Sequence, residues 1–319
     1  MLTGQYVRTH GASANGIPLP EDAPSIAAHL RDQAGYRTAL LGKAHFEPLF
    51  DMDGSYEENR RWRRGDTGDW RGFDTSIQAA HVGSFAGNPI QHYGVWLADN
   101  HPEWLKSFAP LLSATPGGDT GAPETMNNPI PRDLYHTDWI ADITVRELDT
   151  YADDDDWFVW MSFPDPHHPW DPPESELGRV PWQDLDLPLG HPGSPEKVVE
   201  VLSQKPAHWL GYWEGTFVNQ EGAPGNFGPQ RLTDDNIREV NAKCHVMNEL
   251  IDEACGRVLD HLAAKGWLDE TDVFFTTDHG EMQGDYGFMY KGPFHVDSLM
   301  RLPFIWRPAA TAGVPPAEI

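Results

Sequence analysis

The amino-acid sequence predicts an α/β fold with a mainly parallel central sheet. Two observations support this prediction. Stretches with the apolar spacing of amphipathic helices alternate with short apolar runs of strand length, and this alternation is typical of parallel sheets with right-handed crossovers. The chain of 319 residues is also long enough to bury a substantial core. This length fits one large α/β domain or two modest ones, and we expect a single domain over residues 1–319.

The first half of the chain contains two predicted helix–strand pairs. Pro24 to Gly35 has one apolar face and ends on glycine, a common helix stop, and Tyr36 to Leu41 is a predicted buried strand. Leu134 to Tyr151 has helical spacing, and the apolar run from Trp157 to Phe163 predicts a central strand covered on both faces. The segment at about residues 51–131 is a predicted loop-rich insertion, because its apolar residues show no sustained period.

The second half contains one long predicted helix and two predicted strands. Thr233 begins the helix, in which apolar residues recur every three or four positions. Two aspartates occupy its first turn, where the helix dipole favours negative charge. Asp272 to Thr277 and Leu302 to Trp306 are the predicted strands, and a second loop-rich insertion is expected at about residues 171–232.

The two cysteines, Cys244 and Cys255, fall on the apolar stripe of the long helix. Their positions on one helix place the Cα atoms roughly 16 Å apart, whereas a disulfide tolerates only about 7 Å. The sequence therefore excludes an internal disulfide on this helix and predicts buried thiols in the core.

The charge balance excludes two classes of partner. Asp and Glu number 49 against 23 Lys and Arg, which gives a net charge of -26. Nucleic acids and anionic membranes attract clustered Lys and Arg, so neither is an expected partner. No apolar run approaches the ~18–20 residues of a membrane span. The first residues lack the apolar core of a signal peptide, so the cytoplasm is the default expectation. The alternative that a leader peptide was lost from the N-terminus stays open.

Lysine, histidine and aspartate side chains follow three of the predicted strands. In open α/β sheets, ligands bind beyond the carboxyl ends of the strands, so we expect these side chains to form one site. They are Lys43 and His45, then His167 and His168, and then Asp278 and His279 with Lys291 one short loop later.

These residue types fit one chemical task. Asp278 and a neutral His279 can coordinate a divalent cation, and lysines with protonated histidines can surround the oxygens of a tetrahedral anion. Each residue also has an ordinary alternative: Lys43 as a surface lysine, the Asp-His pair as a turn, and the two histidines as a cap before Pro169. The arginines within residues 60–64 are either a solvated face or part of a rim for an anionic substrate.

Several motifs resemble signatures of the sulfatase family, within the alkaline-phosphatase-like superfamily. Gly35-Tyr36-Arg37-Thr38 and Gly42-Lys43-Ala44-His45 resemble its Gly-Tyr-x-Thr and Gly-Lys-x-His signature. Phe163 to Pro169 is similar to the segment that carries a His-x-Pro substrate histidine. Further resemblances are Thr277 to Glu281 with Tyr290-Lys291-Gly292, similar to a metal-binding signature, and the Arg-x-Pro of Arg301-Leu302-Pro303.

The resemblance implies a three-layer α/β sandwich of the alkaline-phosphatase-like kind, with a metal site and an anion site. Asp278 and His279 would be ligands of a divalent metal, with Ca²⁺ expected first and Mn²⁺ or Mg²⁺ as alternatives. Lys43 and Lys291 would neutralise the oxygens of a sulfate or phosphate group.

The resemblance also implies roles for three histidines. His45 would assist the nucleophile, and His167 would protonate the leaving oxygen or bind the anion. His168 is the alternative to His167 in the same motif. The implied activity is hydrolysis of a small-molecule sulfate ester. Phosphate or phosphonate monoesters are alternative substrates, and a non-catalytic metal- or anion-binding protein is the alternative of another class. A homo-oligomer is compatible with the aromatic-rich loops.

One departure from the family pattern concerns the nucleophile. The family's Cys-x-Pro-Ser-Arg or Ser-x-Pro-Ser-Arg motif stands a few residues before a stretch like Leu2-Thr3-Gly4, so Met1 stands where the motif has just ended. We expect the first strand, its paired aspartates, the formylglycine-type nucleophile and the smaller C-terminal subdomain beyond residues 315–319 to be missing. A misassigned start codon, a partial gene and a truncated pseudoenzyme are the alternatives.

Overall fold

The computed structural model describes residues 1–14, 16–49, 51, 53–85, 87–217, 223–225 and 227–314. The end of the chain at 315–319 and parts of both predicted insertions, including 218–222, lie outside the described residues. The α-helices are α1 (Val7–His10), α2 (Ile26–Ala34), α3 (Glu57–Arg63), α4 (Gln91–Asn100), α5 (His136–Leu148), α6 (Pro195–Leu202), α7 (Ala207–Glu214), α8 (Asp234–Ala264) and α9 (Asp297–Met300). The strands are β1 (Arg37–Gly42), β2 (Thr75–Gln78), β3 (Ser84–Phe85), β4 (Asn88–Pro89), β5 (Pro116–Gly117), β6 (Ala122–Pro123), β7 (Trp157–Ser162), β8 (Val273–Thr276) and β9 (Phe304–Arg307).

A parallel sheet of order β2-β1-β7 lies at the centre of the fold. In its register, Leu40 of β1 lies opposite Ser76 of β2 and Trp160 of β7. The middle strand β1 is buried because it has a strand on each side. All three strands run the same way, so their carboxyl ends, and the residues that follow them, meet at one edge.

Helices cover both faces of this sheet, as the three-layer prediction requires. Ala27 of α2 packs in one cluster with Leu40 of β1. On the opposite face, Ile140 of α5 packs with Leu41 of β1, because successive side chains of a strand point to opposite faces. Helix α8 packs on α5 from outside. The α/β prediction with a parallel central sheet is therefore confirmed.

The long helix α8 begins where the sequence predicts. The Thr233 side chain accepts a hydrogen bond from the Asn236 backbone N–H, and the Asn236 side chain accepts one from the Thr233 backbone N–H. This reciprocal capping satisfies amide groups that the first helical turn leaves unpaired. Both cysteines lie on α8. Cys244 is buried as predicted, and Cys255 is only partly buried.

Three of the predicted strands take different positions than expected. β7 was expected to be central, but among the described strands it pairs only with β1 and lies at an edge. β8 and β9 form a separate antiparallel ribbon instead of joining the parallel sheet. Both faces of this ribbon carry exposed apolar side chains, among them Phe274, Phe275 and Phe304, the last with 68% exposure. Sequence periodicity identifies a strand but does not identify its neighbours, which explains both errors.

The two predicted insertions contain more regular structure than expected. The segment 51–131 contributes β2 to the central sheet, together with α3 and α4. The segment 171–232 contributes α6 and α7. The strand β2 escaped notice because it has four residues, three of them polar. Among the described residues, no helix combines the length and apolar character needed to cross a membrane.

Candidate active site

Lys43 follows the carboxyl end of β1 and contacts a residue that follows β8. Its Nζ atom donates to Oδ2 of Asp278 at 2.8 Å. Burial alone would raise the pKa of Asp278, but the charges of Lys43 and His279 outweigh it and hold the pKa at about 2. Because the Asp278 side chain is 52% exposed, solvent screens the ion pair and its contribution to stability is under about 1 kcal/mol. The contact shows that β8 ends beside β1, so two of the predicted strand ends meet.

Asp278 and His279 present two donor atoms to the same space. Nδ1 of His279 donates to the carbonyl oxygen of Gly280 at 2.8 Å, so the lone pair of the neutral ring is on Nε2. Burial lowers the pKa of His279 although Asp278 raises it, which favours this neutral form. Nε2 lies 3.7 Å from Oδ1 of Asp278. Ligand bonds of about 2.0–2.5 Å would let both atoms reach one cation.

The donor chemistry of this pair fits a divalent cation, but it is only part of a coordination sphere. Within the described stretches of chain, no group of three or more His, Cys, Asp or Glu side chains could hold a metal ion. Asp278 and His279 are therefore two candidate ligands, and a stable site needs further oxygen or nitrogen donors.

His167 and Lys291 form the second close pair. Nζ of Lys291 donates to Nε2 of His167 at 3.0 Å. Nδ1 of His167 donates to the carbonyl oxygen of His168, which leaves Nε2 with the lone pair that accepts from the ammonium group. Burial lowers the pKa of His167 well below its usual range, and neighbouring positive charges add to the effect. The neutral ring is therefore the state that this contact favours.

The two pairs belong to one site. The rings of His167 and His279 are 6.4 Å apart between centroids. Burial lowers the pKa of Lys291. The charge of Glu281 opposes this effect, and the charge of Lys43 adds to it. His45 is exposed and lies in the electrostatic field of Lys43 and Asp278. The structure thus brings the predicted residues of all three strand ends together.

His168 occupies a different environment from His167. Its ring is buried, with Nδ1 3.0 Å from Oε2 of Glu124. It lies against the ring of Tyr290, with centroids 4.9 Å apart and the planes nearly perpendicular. Of the two histidines that the sequence leaves open, His167 is the one that contacts Lys291.

His81 follows the strand β2 and is a further residue of this site that was not predicted from the sequence. Its ring stacks on that of His167, with centroids 4.3 Å apart. Burial lowers the pKa of His81 well below its usual range, and the charges of His168 and Lys43 act in the same direction. The other site residues were identified as polar residues that follow a predicted strand. The same criterion would have identified His81 if β2 had been predicted as a strand.

The arginines of residues 60–64 do not reach this site through their ion pairs. Arg60 and Arg64 pair with Glu57, and Arg61 pairs with Asp66, all within the same local segment. These contacts favour the solvated-face interpretation.

Comparisons with known proteins agree with this architecture. The family model described as Sulfatase matches residues 1–316. The multifunctional alkaline phosphatase superfamily protein PehA of Trinickia caryophylli is 26% identical over 313 residues, covering 97% of this chain and 57% of PehA. An arylsulfatase of Clostridium perfringens is 26% identical over 312 residues, covering 95% of this chain and 56% of that enzyme.

A solved structure supports the fold. The phosphonate monoester hydrolase of Agrobacterium radiobacter superposes with a TM-score of 0.70 at 23% identity, covering 98% of this chain and 58% of that enzyme. The chain thus spans somewhat more than half the length of these relatives. The family match over nearly the whole chain, together with the α/β fold and the predicted signatures, shows that this chain belongs to the sulfatase family.

Proposed function

We propose that this site binds the tetrahedral anionic group of a small-molecule sulfate ester and that its residues serve sulfate-ester hydrolysis. The observation that supports this most is the convergence of Lys43 and Lys291, which follow different elements, on one space beside His167 and Asp278. Asp278 pairs with Lys43 and Glu281 lies 3.9 Å from Lys291, and the remaining N–H groups of the two ammonium groups are donors that suit the oxygens of a tetrahedral anion. Sulfatase family members are hydrolases, and these residue types fit charge stabilisation at a transferring group.

The proposed roles follow from the contacts. Lys43 and Lys291 bind and orient the ester oxygens. Nε2 of His167 accepts from the Lys291 ammonium group, so the proton of this pair is on Lys291, from which His167 can pass it to a leaving oxygen. Asp278 and His279 would hold a divalent cation, which would supply Lewis-acid stabilisation of negative charge when bound. His45, beside Lys43, assists the attacking group.

The nucleophile is not one of this chain's cysteines. Cys244 is buried on α8, and burial raises its pKa well above the usual range. Burial also raises the pKa of Cys255, to about 11. Neither lies in a Cys-x-Pro-Ser-Arg sequence. Neither cysteine is therefore the precursor of the formylglycine-type nucleophile that the family resemblance implies.

Anion binding tests the proposal directly. We expect inorganic sulfate to bind the chain, and Lys43→Ala or Lys291→Ala to weaken binding by about tenfold each, because each removes a charge-assisted hydrogen bond. Titration calorimetry measures the affinities. Lys106→Ala, which removes an exposed lysine outside the site, is the matched control. Equal affinities for all four proteins would refute the anion site.

Turnover separates the candidate functions. We expect the 319-residue chain to show essentially no hydrolysis of nitrophenyl sulfate or nitrophenyl phosphate, since it lacks the nucleophile motif. Robust turnover would show that the nucleophile assignment is wrong. A preference for the phosphate ester would favour the alternative monoesterase, which is compatible with the 26% identity to a multifunctional superfamily member. Sulfate binding without turnover is also the behaviour of the anion-binding alternative.

Metal binding tests the ligand assignment. We expect Asp278→Asn to abolish the binding of Ca²⁺ and Mn²⁺, because the amide removes the charged oxygen donor. Calorimetric titration with each chloride salt measures this effect. Asp297→Asn, at an exposed carboxylate of α9, is the control and should leave metal binding unchanged. If Asp278→Asn binds either cation as the unchanged chain does, Asp278 is not a ligand.

A further inference from the structure

A buried carboxyl group, that of Glu124, lies beside the loop that carries His167 and His168 (the histidine loop). Glu124 is 2% exposed, and its backbone adopts a φ of 53°. Its carbonyl oxygen accepts from the Trp170 backbone N–H at 2.7 Å, and Thr125 forms a parallel bridge with Trp170. The segment at Glu124 therefore runs beside the residues that directly follow His168 and Pro169.

The carboxyl group itself joins two segments. Oε1 of Glu124 accepts from the Leu112 backbone N–H. Oε2 lies 3.0 Å from Nδ1 of His168, a close contact whose geometry falls short of a hydrogen bond. At this distance the carboxyl group and the imidazole ring are in direct contact, and no water molecule fits between them.

His168 in turn determines how His167 is held. The two rings stack with centroids 4.1 Å apart. The carbonyl oxygen of His168 accepts from Nδ1 of His167, and Nε2 of His167 accepts from Lys291. Any movement of His168 therefore changes the position of the group that fixes the tautomer of His167.

We propose that Glu124 is a positioning residue: its carboxyl group holds the imidazole of His168 and, through His168, the orientation in which His167 meets Lys291. The relevance of this role to catalysis rests on the proposed function, but the geometry can be tested without turnover. The sequence did not single out Glu124, because it lies in the segment predicted to be a loop-rich insertion.

The protonation state of Glu124 follows from its surroundings. Burial raises its pKa to about 8, although the backbone N–H of Leu112 and the neighbouring Tyr290 and Lys291 oppose the effect. Glu281 is a further carboxyl that faces this group. Burial lowers the pKa of His168 well below its usual range. At neutral pH, a protonated carboxyl group can thus donate to the lone pair of a neutral His168 ring.

Three variants distinguish hydrogen-bond donation from simple space filling. In Glu124→Gln the side-chain amide can still donate to His168, whereas Glu124→Leu fills similar volume without a donor. We expect Glu124→Gln to bind inorganic sulfate within about twofold of the unchanged chain at about pH 7, and Glu124→Leu to bind about tenfold more weakly. Glu58→Gln is the matched control, because it changes an equally buried carboxyl that accepts from the Glu47 backbone N–H and from the Gln78 side chain.

Two further readouts separate a positioning role from a structural one. Sulfate does not titrate between about pH 6 and 9. The unchanged chain should therefore lose affinity relative to Glu124→Gln as pH rises above about 8, because only its carboxyl ionises. Histidine ring ¹⁵N shifts report the tautomers of His167 and His168, and they should change in Glu124→Leu but not in Glu58→Gln.

The outcomes are distinguishable. A folded Glu124→Leu variant with unchanged sulfate affinity and unchanged ring shifts overturns the positioning role. If this variant does not fold, equal affinities of the unchanged chain and Glu124→Gln across the pH series overturn it. If the unchanged chain does not bind sulfate, the proposed function fails. The positioning role is then tested by comparing the ring ¹⁵N shifts of Glu124→Gln with those of the unchanged chain. Preserved tautomers support the role, and altered tautomers overturn it.

Discussion

Replacing Trp170 with alanine is expected to lower the free energy of unfolding by about 3–5 kcal/mol. Trp170 is fully buried and stacks on Tyr290 with ring centroids 5.3 Å apart. It also lies against His168, at 5.8 Å between centroids. Alanine leaves a cavity between the histidine loop and the segment that carries Lys291. This loss is a large fraction of the roughly 5–15 kcal/mol that stabilises an ordinary domain.

Urea unfolding followed by circular dichroism measures this effect. Trp306→Ala is the matched control, because Trp306 is 46% exposed on β9. We expect that control to cost about 1 kcal/mol or less, since little buried volume is removed. Similar losses for the two variants would show that the packing around Trp170 does not stabilise the fold as described.

The stability of the protein is expected to fall as pH rises from about 6.5 to 8. Burial raises the pKa of Glu58 to about 8, with the charge of Glu47 adding to it, and raises the pKa of Glu124 to about 8 and of Asp165 to about 7. Between the ordinary carboxyl pKa of about 4 and these values, the folded state binds more protons than the unfolded state. Stability gained by this protonation is therefore lost as pH rises through the folded pKa values, by about 2–4 kcal/mol in total.

Buried histidines have the opposite linkage and act at lower pH. Burial lowers the pKa of His136 to about 3, and it lowers those of His81, His167 and His168 well below the usual range. Below about pH 6.5 these histidines bind protons in the unfolded chain but not in the folded chain. The free energy of unfolding of the protein therefore falls as pH falls. Between about pH 4.5 and 6.5 the carboxyls and histidines oppose each other. The stability maximum is expected there.

Urea midpoints measured from about pH 4 to 9 test this profile. Glu58→Gln should remove about one proton from the alkaline limb and so make its slope shallower. The carboxyl exchange Asp297→Asn, at an exposed position, should leave the slope unchanged. An alkaline limb that is identical in Glu58→Gln and in the unchanged chain would show that Glu58 is not held protonated by the fold.

Local patterns account for the elements that were predicted correctly. The apolar run of β1 and the three-and-four spacing of α8 each describe one continuous segment with one buried surface, so the sequence contains the whole signal. The strand β2 is too short for such a signal. The edge position of β7 and the antiparallel β8–β9 ribbon depend on which strands become neighbours, and segment periodicity does not carry that information.

The candidate site divides in the same way. Lys43, His167, Asp278 and Lys291 could be identified because they follow predicted strands and stand in family-like motifs. His81 and Glu124 could not, because both lie in the segment 51–131, which shows no strand periodicity and no motif. Their link to the site is purely spatial, through ring stacking on His167 and a short contact with His168.

By itself, the sequence determined the α/β class, the buried stripe of α8 and the chemical character of the strand ends, because each depends on residues that are close along the chain. Only the tertiary structure decided that His167 and not His168 meets Lys291, and that Asp278 meets Lys43. Adjacent histidines have the same local sequence signal, and the packing of Glu124, Trp170 and Tyr290 around one ring is what directs the other toward the lysine.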